Sequence, residues 1–176
     1  PIIFMRILIT GLNGFIGKNL RNKFSKEHQI LSLTKRIDPK IDMSNLQQIE
    51  GVISKPNMWK EKVLNFSPEC CIHLAWQGIP DFSLRVCREN IYHNLIFLES
   101  MKEINVKNLI VAGSCWEYGE CSGEINEDFE SNNPSLFGLS KLAILSFIKR
   151  IAYEIFINYK WARMFFVYGP YQRENS

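Results

Sequence analysis

The sequence lacks the features that would commit it to a membrane, a disulfide scaffold or a nucleic acid. Its apolar opening, Ile2 to Ile9, is interrupted by Arg6 and followed at once by glycines. That stretch is far shorter than the roughly 20 residues of a bilayer span, and it is wrongly flanked for a secretory leader. It reads as a buried strand behind a short leader, and no membrane association is expected. The five cysteines, Cys70, Cys71, Cys87, Cys115 and Cys121, are odd in number, and two are adjacent. Such spacing suits neither a disulfide framework nor a zinc site, so no metal is expected and reduced thiols in a cytoplasm are. Net charge is only +3, with basic residues dispersed as in Lys18, Arg21, Lys23 and Lys26. No electrostatic footprint for a nucleic acid follows from that distribution.

What is present is a core-forming chain. Its 176 residues, 46% hydrophobic and 22% charged, suit one globular domain over 1–176 and leave no room for a second. Apolar runs of strand length alternate with longer segments of helical period, which predicts a parallel sheet covered by helices on both faces. The strands are expected at Met5–Thr10, Gln29–Thr34, Glu69–Leu74, Lys107–Gly113 and Lys160–Val167. The helices are expected near Gly14–Ser25, Met58–Phe66, Leu84–Ile104 and Gly138–Asn158. In the last helix, apolar residues from Leu142 to Phe156 span an arc wider than one sheet face covers. A homodimer through helices 84–104 and 138–158 is therefore expected.

Chemistry first shows in the run from Met5 to Gly17: a strand, glycines at 11, 14 and 17, then a helix. Glycine admits backbone angles that other residues avoid and lets the chain approach a pyrophosphate closely. The following helix presents unpaired N–H groups and the positive end of its dipole to phosphate. In that strand-turn-helix setting the triplet predicts a doubly wound α/β, or Rossmann, dinucleotide-binding fold.

The segment Thr10-Gly11-Leu12-Asn13-Gly14-Phe15-Ile16-Gly17 resembles the signature of the extended short-chain dehydrogenases/reductases, the NAD(P)-dependent epimerases and dehydratases that act on nucleotide sugars. Further segments are similar in order: Cys71 to Ala75, with Leu74 and Ala75 at a strand end beside the cofactor, Asn90, Asn108 to Ser114, Tyr118-Gly119, and Arg163 to Pro170. The resemblance implies a cofactor held by Gly11, Asn13, Gly14, Phe15, Ile16 and Gly17, and a nucleotide-sugar substrate. It also implies that Asp42 meets the adenine edge, whereas the residue type alone would equally make it a helix cap. At the end of the second strand stand Thr34, Lys35 and Arg36. A carboxylate there would bind ribose hydroxyls and cations would pair with a 2′-phosphate, so NADP is expected over NAD.

Members of this family use a Ser, a Tyr and a Lys, the last two four apart on one helix and so on one face. The ammonium stabilises the phenolate, letting it trade a proton with the substrate while hydride moves. Ser114 matches the serine and Lys141 the lysine, which also binds the nicotinamide ribose, but Phe137 stands where the tyrosine belongs. A phenyl ring has no proton to exchange. Three explanations stay open: an impaired natural relative, a residue changed to hold a complex, or a proton carried by another group, with Tyr118 and Glu117 the nearest substitutes. Cys115 reads as a small packed thiol. Tyr118 and Phe166 are expected on the substrate side, Phe166 replacing a common Asn. The family continues well beyond the Gly169-Pro170 segment, so most of the substrate-binding part is expected to be missing from residues 1–176. The expected function is that of a nucleotide-sugar epimerase, dehydratase or reductase with impaired catalysis; the alternative is a non-catalytic, redox-sensing dinucleotide-binding module.

Overall fold

The computed structural model describes residues 4–172; the leader 1–3 and the terminal 173–176 lie outside the described residues. Six strands run parallel: β1 (Arg6–Thr10), β2 (Gln29–Thr34), β3 (Leu46–Glu50), β4 (Cys70–His73), β5 (Asn108–Ser114) and β6 (Asn158–Met164). Their order is β3-β2-β1-β4-β5-β6. After β3 the chain returns to the centre, and the connections leaving β1 and β4 diverge to opposite sides of the sheet, opening a crevice at the strands' carboxyl ends.

Four helices cover the sheet: α1 (Phe15–Glu27), α2 (Lys60–Phe66), α3 (Leu84–Ile104) and α4 (Leu136–Glu154). Helix α1 packs on one face, where Ile7, Ile9, Ile30 and Ile72 are buried with Phe24 against them. On the other face, Val63 of α2, Phe97 and Leu98 of α3, and Ile144 and Ile148 of α4 close over Leu8, Leu31, Cys71 and Leu109. The starts of α3 and α4 are fixed by serine caps: Ser83 accepts from the Val86 amide and Ser135 from the Gly138 amide.

Most element ends shift by one or two residues, and larger differences from the sequence-based expectation fall at four places. Strand β3 was not expected, because Leu-Gln-Gln-Ile-Glu offers only Leu46 and Ile49 to the core and turns its polar residues outward, as an edge strand does. The second expected helix begins at Lys60, after a separate 3-10 turn at Pro56–Met58. Helix α4 stops at Glu154, so the last strand runs Asn158–Met164 instead of Lys160–Val167. Among the described residues no helix is long and apolar enough to cross a membrane.

Candidate functional site

The turn from β1 into α1 forms one wall of the crevice. Gly11 has φ +75°, and a Cβ on it would lie 2.8 Å from the Ala75 amide nitrogen, so the β1 and β4 ends approach only because that side chain is missing. Gly17 packs the first turn of α1 onto the backbone of Gly11 and Leu12. The Gly14 amide donates to the Gly11 carbonyl at 3.0 Å. Gly14 then opens α1 with no side-chain cap and no acidic residue in the first turn. The N–H groups at Phe15 and Ile16 thus begin a helix whose end suits an anion.

A cavity of about 410 Å³ runs from this turn, lined by Gly11, Asn13, Thr34, Lys35, Ala75 and Trp76 among others. Asn13 Nδ2 donates to Thr34 Oγ1 at 3.1 Å, yet its Oδ1 is buried without a partner, as is Trp76 Nε1. Buried polar atoms left unpaired are costly, and here both belong to residues lining the cavity, where a polar ligand would satisfy them. Lys35 Nζ reaches Gln77 Oε1 at 2.7 Å, and Gln77 Nε2 in turn meets His93 Nδ1 at 3.2 Å. Leu74 also lines the cavity. Arg36 is exposed outside it, its carbonyl accepting from Thr34 Oγ1.

A buried polar chain holds the two central strand ends together. Asn94 Nδ2 donates to the Asn90 carbonyl, which turns Asn94 Oδ1 toward His73 Nε2 at 2.7 Å. The carboxamide oxygen can only accept, so His73 carries its proton on Nε2. Its Nδ1 then accepts from the Thr10 hydroxyl at 2.7 Å, and Thr10 Oγ1 accepts from the Ala75 amide. Burial holds the imidazole neutral, with its pKa lowered to about 4.

Beyond Trp76 stands a cluster built by β5, β6 and α4. Ser114 closes β5 and caps a 3-10 turn at Cys115–Glu117, its Oγ accepting from the Trp116 amide. Glu117 is wholly buried: Oε1 accepts from the Ser114 amide at 2.7 Å, and Oε2 accepts from Trp161 Nε1 and Arg163 Nε, each at 2.8 Å. Arg163 also donates to Tyr118 Oη and the Glu127 carbonyl. Helix α4 comes close because Gly138 has no Cβ to strike the Trp116 carbonyl. One turn on, Lys141 is 7% exposed and Nζ donates to the Ala112 carbonyl at 2.8 Å, 4.3 Å from the Trp76 ring centroid. Burial pushes this ammonium down to about 8 against the opposing pull of Glu117.

The model of the NAD dependent epimerase/dehydratase family matches residues 7–176. The chain belongs to the NAD dependent epimerase/dehydratase family. Among its relatives, the dTDP-6-deoxy-L-talose 4-dehydrogenase (NAD(+)) of Aggregatibacter actinomycetemcomitans is 28% identical over 98% of this chain and 65% of its own length. The UDP-glucuronic acid 4-epimerase of Bacillus cereus, solved with UDP-glucuronic acid and NAD, is 26% identical with a TM-score of 0.84, covering 98% of this chain and 60% of that one. A tyrosine-to-phenylalanine mutant of that epimerase was solved with UDP-4-deoxy-4-fluoro-glucuronic acid and NAD. This member of the family spans less than two thirds of either relative's length.

In the structure Ser114 closes β5, Phe137 and Lys141 lie one turn apart on α4, and both of the latter meet the ring of Trp76, which lines the cavity beside the glycine turn. Phe137 is 8% exposed and surrounded by the rings of Trp76, Phe82 and Trp116, with centroids 4.9 to 5.9 Å away. Tyr118 and Phe166 line a separate cavity of about 470 Å³ beyond Ser114, Phe166 being 87% exposed. Asp42 is a correction. It lies exposed ahead of β3 and outside the cavity lining, where Gly51 and Ile53, just past β3, stand instead. The unrecognised third strand misplaced the register, because a strand's carboxyl end reaches the crevice and the segment before it does not. Thr10, Trp76, Gln77 and Asn94 were also missed; the polar His73 and Thr10 closing two apolar strands were the available signal.

Proposed function

We propose that residues 1–176 form the NAD(P)-binding domain of a nucleotide-sugar epimerase, dehydratase or reductase, with turnover impaired by Phe137. The observation that carries it is the Gly11–Ala75 approach beside an uncapped α1 and the unpaired Asn13 Oδ1. Gly11, Asn13, Gly14, Phe15, Ile16 and Gly17 hold the pyrophosphate, and Thr34, Lys35 and Arg36 face the adenosine ribose. Leu74 and Ala75 border the cofactor's middle, and Lys141 its nicotinamide ribose. When bound, the nicotinamide accepts and returns the electron pair of a substrate C–H bond.

Ser114 orients the substrate oxygen; its backbone amide donates to Glu117 Oε1 and its hydroxyl accepts from the Trp116 amide. Tyr118 and Phe166 border the sugar side. NADP is preferred over NAD because two cations and no carboxylate stand at 35 and 36, although the relatives named above carry NAD. The half-exposed Phe147 of α4, beside α3, supports a homodimer through these helices. The five free thiols are in keeping with a reducing cytoplasm.

The test is titration with NADPH and NADH followed by nicotinamide fluorescence, then turnover of UDP-glucuronic acid, UDP-glucose and dTDP-6-deoxy-L-talose. Saturable binding with slow turnover is expected. Absence of binding by folded protein to either coenzyme overturns the proposal, and binding with no turnover even in Phe137→Tyr on a full-length chain favours the redox-sensing alternative.

A further inference from the structure

We propose that the Trp76 indole gates the nicotinamide half of the coenzyme site: in the free chain its ring covers Lys141 and Phe137, and a dinucleotide displaces it on binding. The gate rests on the coenzyme lying in this crevice, as proposed above, and adds a moving part to that site.

The ring stands on a boundary. Trp76 lines the cavity of about 410 Å³ that begins at the glycine turn. Neither Lys141 nor Phe137 lines that cavity, although both lie against the indole, Lys141 Nζ 4.3 Å from its centroid and the Phe137 centroid 5.0 Å away, edge-on. Both residues are more than nine-tenths buried. Phe82 and Trp116 complete the enclosure of Phe137, at 4.9 and 5.9 Å. A ligand filling the cavity thus occupies the glycine turn without touching Lys141, and it stops at the indole.

The closed position is held weakly. A cation over an indole face and an edge-on phenyl ring are each modest attractions. Against them stands Trp76 Nε1, buried with no acceptor among the described residues, which is a standing cost. Turning the ring outward gives that N–H an oxygen of water or coenzyme. It also uncovers the Lys141 ammonium, which spends one of its three donors on the Ala112 carbonyl and has others to offer a ribose hydroxyl.

The main chain stays in place during this motion. The Ala75 amide donates to Thr10 Oγ1 at 3.3 Å; on the other flank the Gln77 amide donates to Asn90 Oδ1 at 2.9 Å, and Asn90 Nδ2 donates to the Gln77 carbonyl at 3.0 Å. With both flanks pinned, rotation about the Trp76 side-chain bonds is the motion left, and the partly buried ring keeps some contact with solvent. A ligand that ends at the diphosphate leaves the ring where it is. A dinucleotide binds only the fraction of molecules with the ring displaced, and its apparent affinity falls by that fraction.

The test compares ADP with NADH and NADPH. In the unaltered chain, nuclear Overhauser contacts from the Trp76 ring protons to the Lys141 ε-methylene and the Phe137 ring are expected in the free protein and with saturating ADP. With saturating NADH or NADPH they should vanish. Their absence from the free protein, or their survival in the dinucleotide complex, overturns the inference. Calorimetric titration gives the second readout: Trp76→Ala should tighten NADH and NADPH about fivefold or more and change ADP less than twofold. Unchanged or weaker dinucleotide binding by folded Trp76→Ala that still binds ADP overturns the inference, because the ring is then a platform for the coenzyme. Absence of binding by ADP and by both dinucleotides instead strikes the assignment on which the gate rests.

Discussion

Glu117 and Arg163 meet at 2.8 Å with the carboxylate fully buried, and through this pair strand β6 holds the loop that carries Ser114. Breaking a buried pair by removing one partner leaves the other charge unsolvated and costs roughly 3 to 5 kcal/mol. Arg163 keeps some solvent contact, so Glu117→Ala should lose about 3 kcal/mol in urea unfolding. The double variant Glu117→Ala/Arg163→Met should lose less than the sum of the two single losses. Strict additivity would deny the coupling.

Coenzyme binding should separate the roles of two glycines. A Cβ at Gly14 would sit 3.2 Å from the Gly11 carbonyl at ordinary backbone angles, while one at Gly11 would collide with the Ala75 backbone at φ +75°. Gly14→Ala should therefore cost about 1 kcal/mol of stability or less yet weaken NADPH and NADH at least tenfold. Gly11→Ala should lose both fold stability and binding. Undiminished affinity in Gly14→Ala would remove the pyrophosphate from this turn.

The coenzyme's 2′-phosphate is tested at the end of β2. Lys35→Ala/Arg36→Ala should weaken NADPH at least tenfold and change NADH less than threefold, measured by fluorescence titration. Equal losses for both coenzymes, or tighter binding of NADH by the parent, would reverse the expected preference.

Acid should loosen the centre of the sheet. The His73 pKa is lowered from 6.5 to about 4 in the fold, so between those values the unfolded chain binds the extra proton. Stability is then full above about pH 6.5 and falls as pH drops toward 4. The contribution at stake is roughly 3 kcal/mol, at about 1.4 kcal/mol per pKa unit. Urea midpoints across pH 4 to 7 should show that slope, and His73→Gln should flatten it.

Association is tested on α4. Phe147 is 49% exposed, and Phe147→Glu should convert a dimer to a monomer in sedimentation at micromolar concentration. A parent that sediments as a monomer would dispose of the α3 and α4 interface.

The expected homodimer arose from a helix that reads apolar around most of its circumference. In the fold, Ile144, Leu145, Ile148 and Ala152 of that helix are consumed by the sheet and α3, so what remains for a partner is narrower than the sequence implied. Strands β5 and β6 show the same effect in reverse. Lys107–Gly113 reads as a continuous buried run, yet in β5 alternate residues Ile110 and Ala112 are only partly buried, Ile110 at the margin of the cluster that α1 covers.

Local sequence determined the glycine turn, the strand and helix alternation, and the four-residue spacing of Phe137 and Lys141 on one helix. Each depends on residues within a few positions of one another, where backbone sterics and helical spacing act directly. Tertiary structure alone decided that β3 exists, that Gly51 and Ile53 displace Asp42 at the crevice, and that Glu117 joins Ser114 to Arg163. Those outcomes depend on contacts between residues distant in the chain, and a buried charge reveals its partner only after the strands carrying both have been brought side by side.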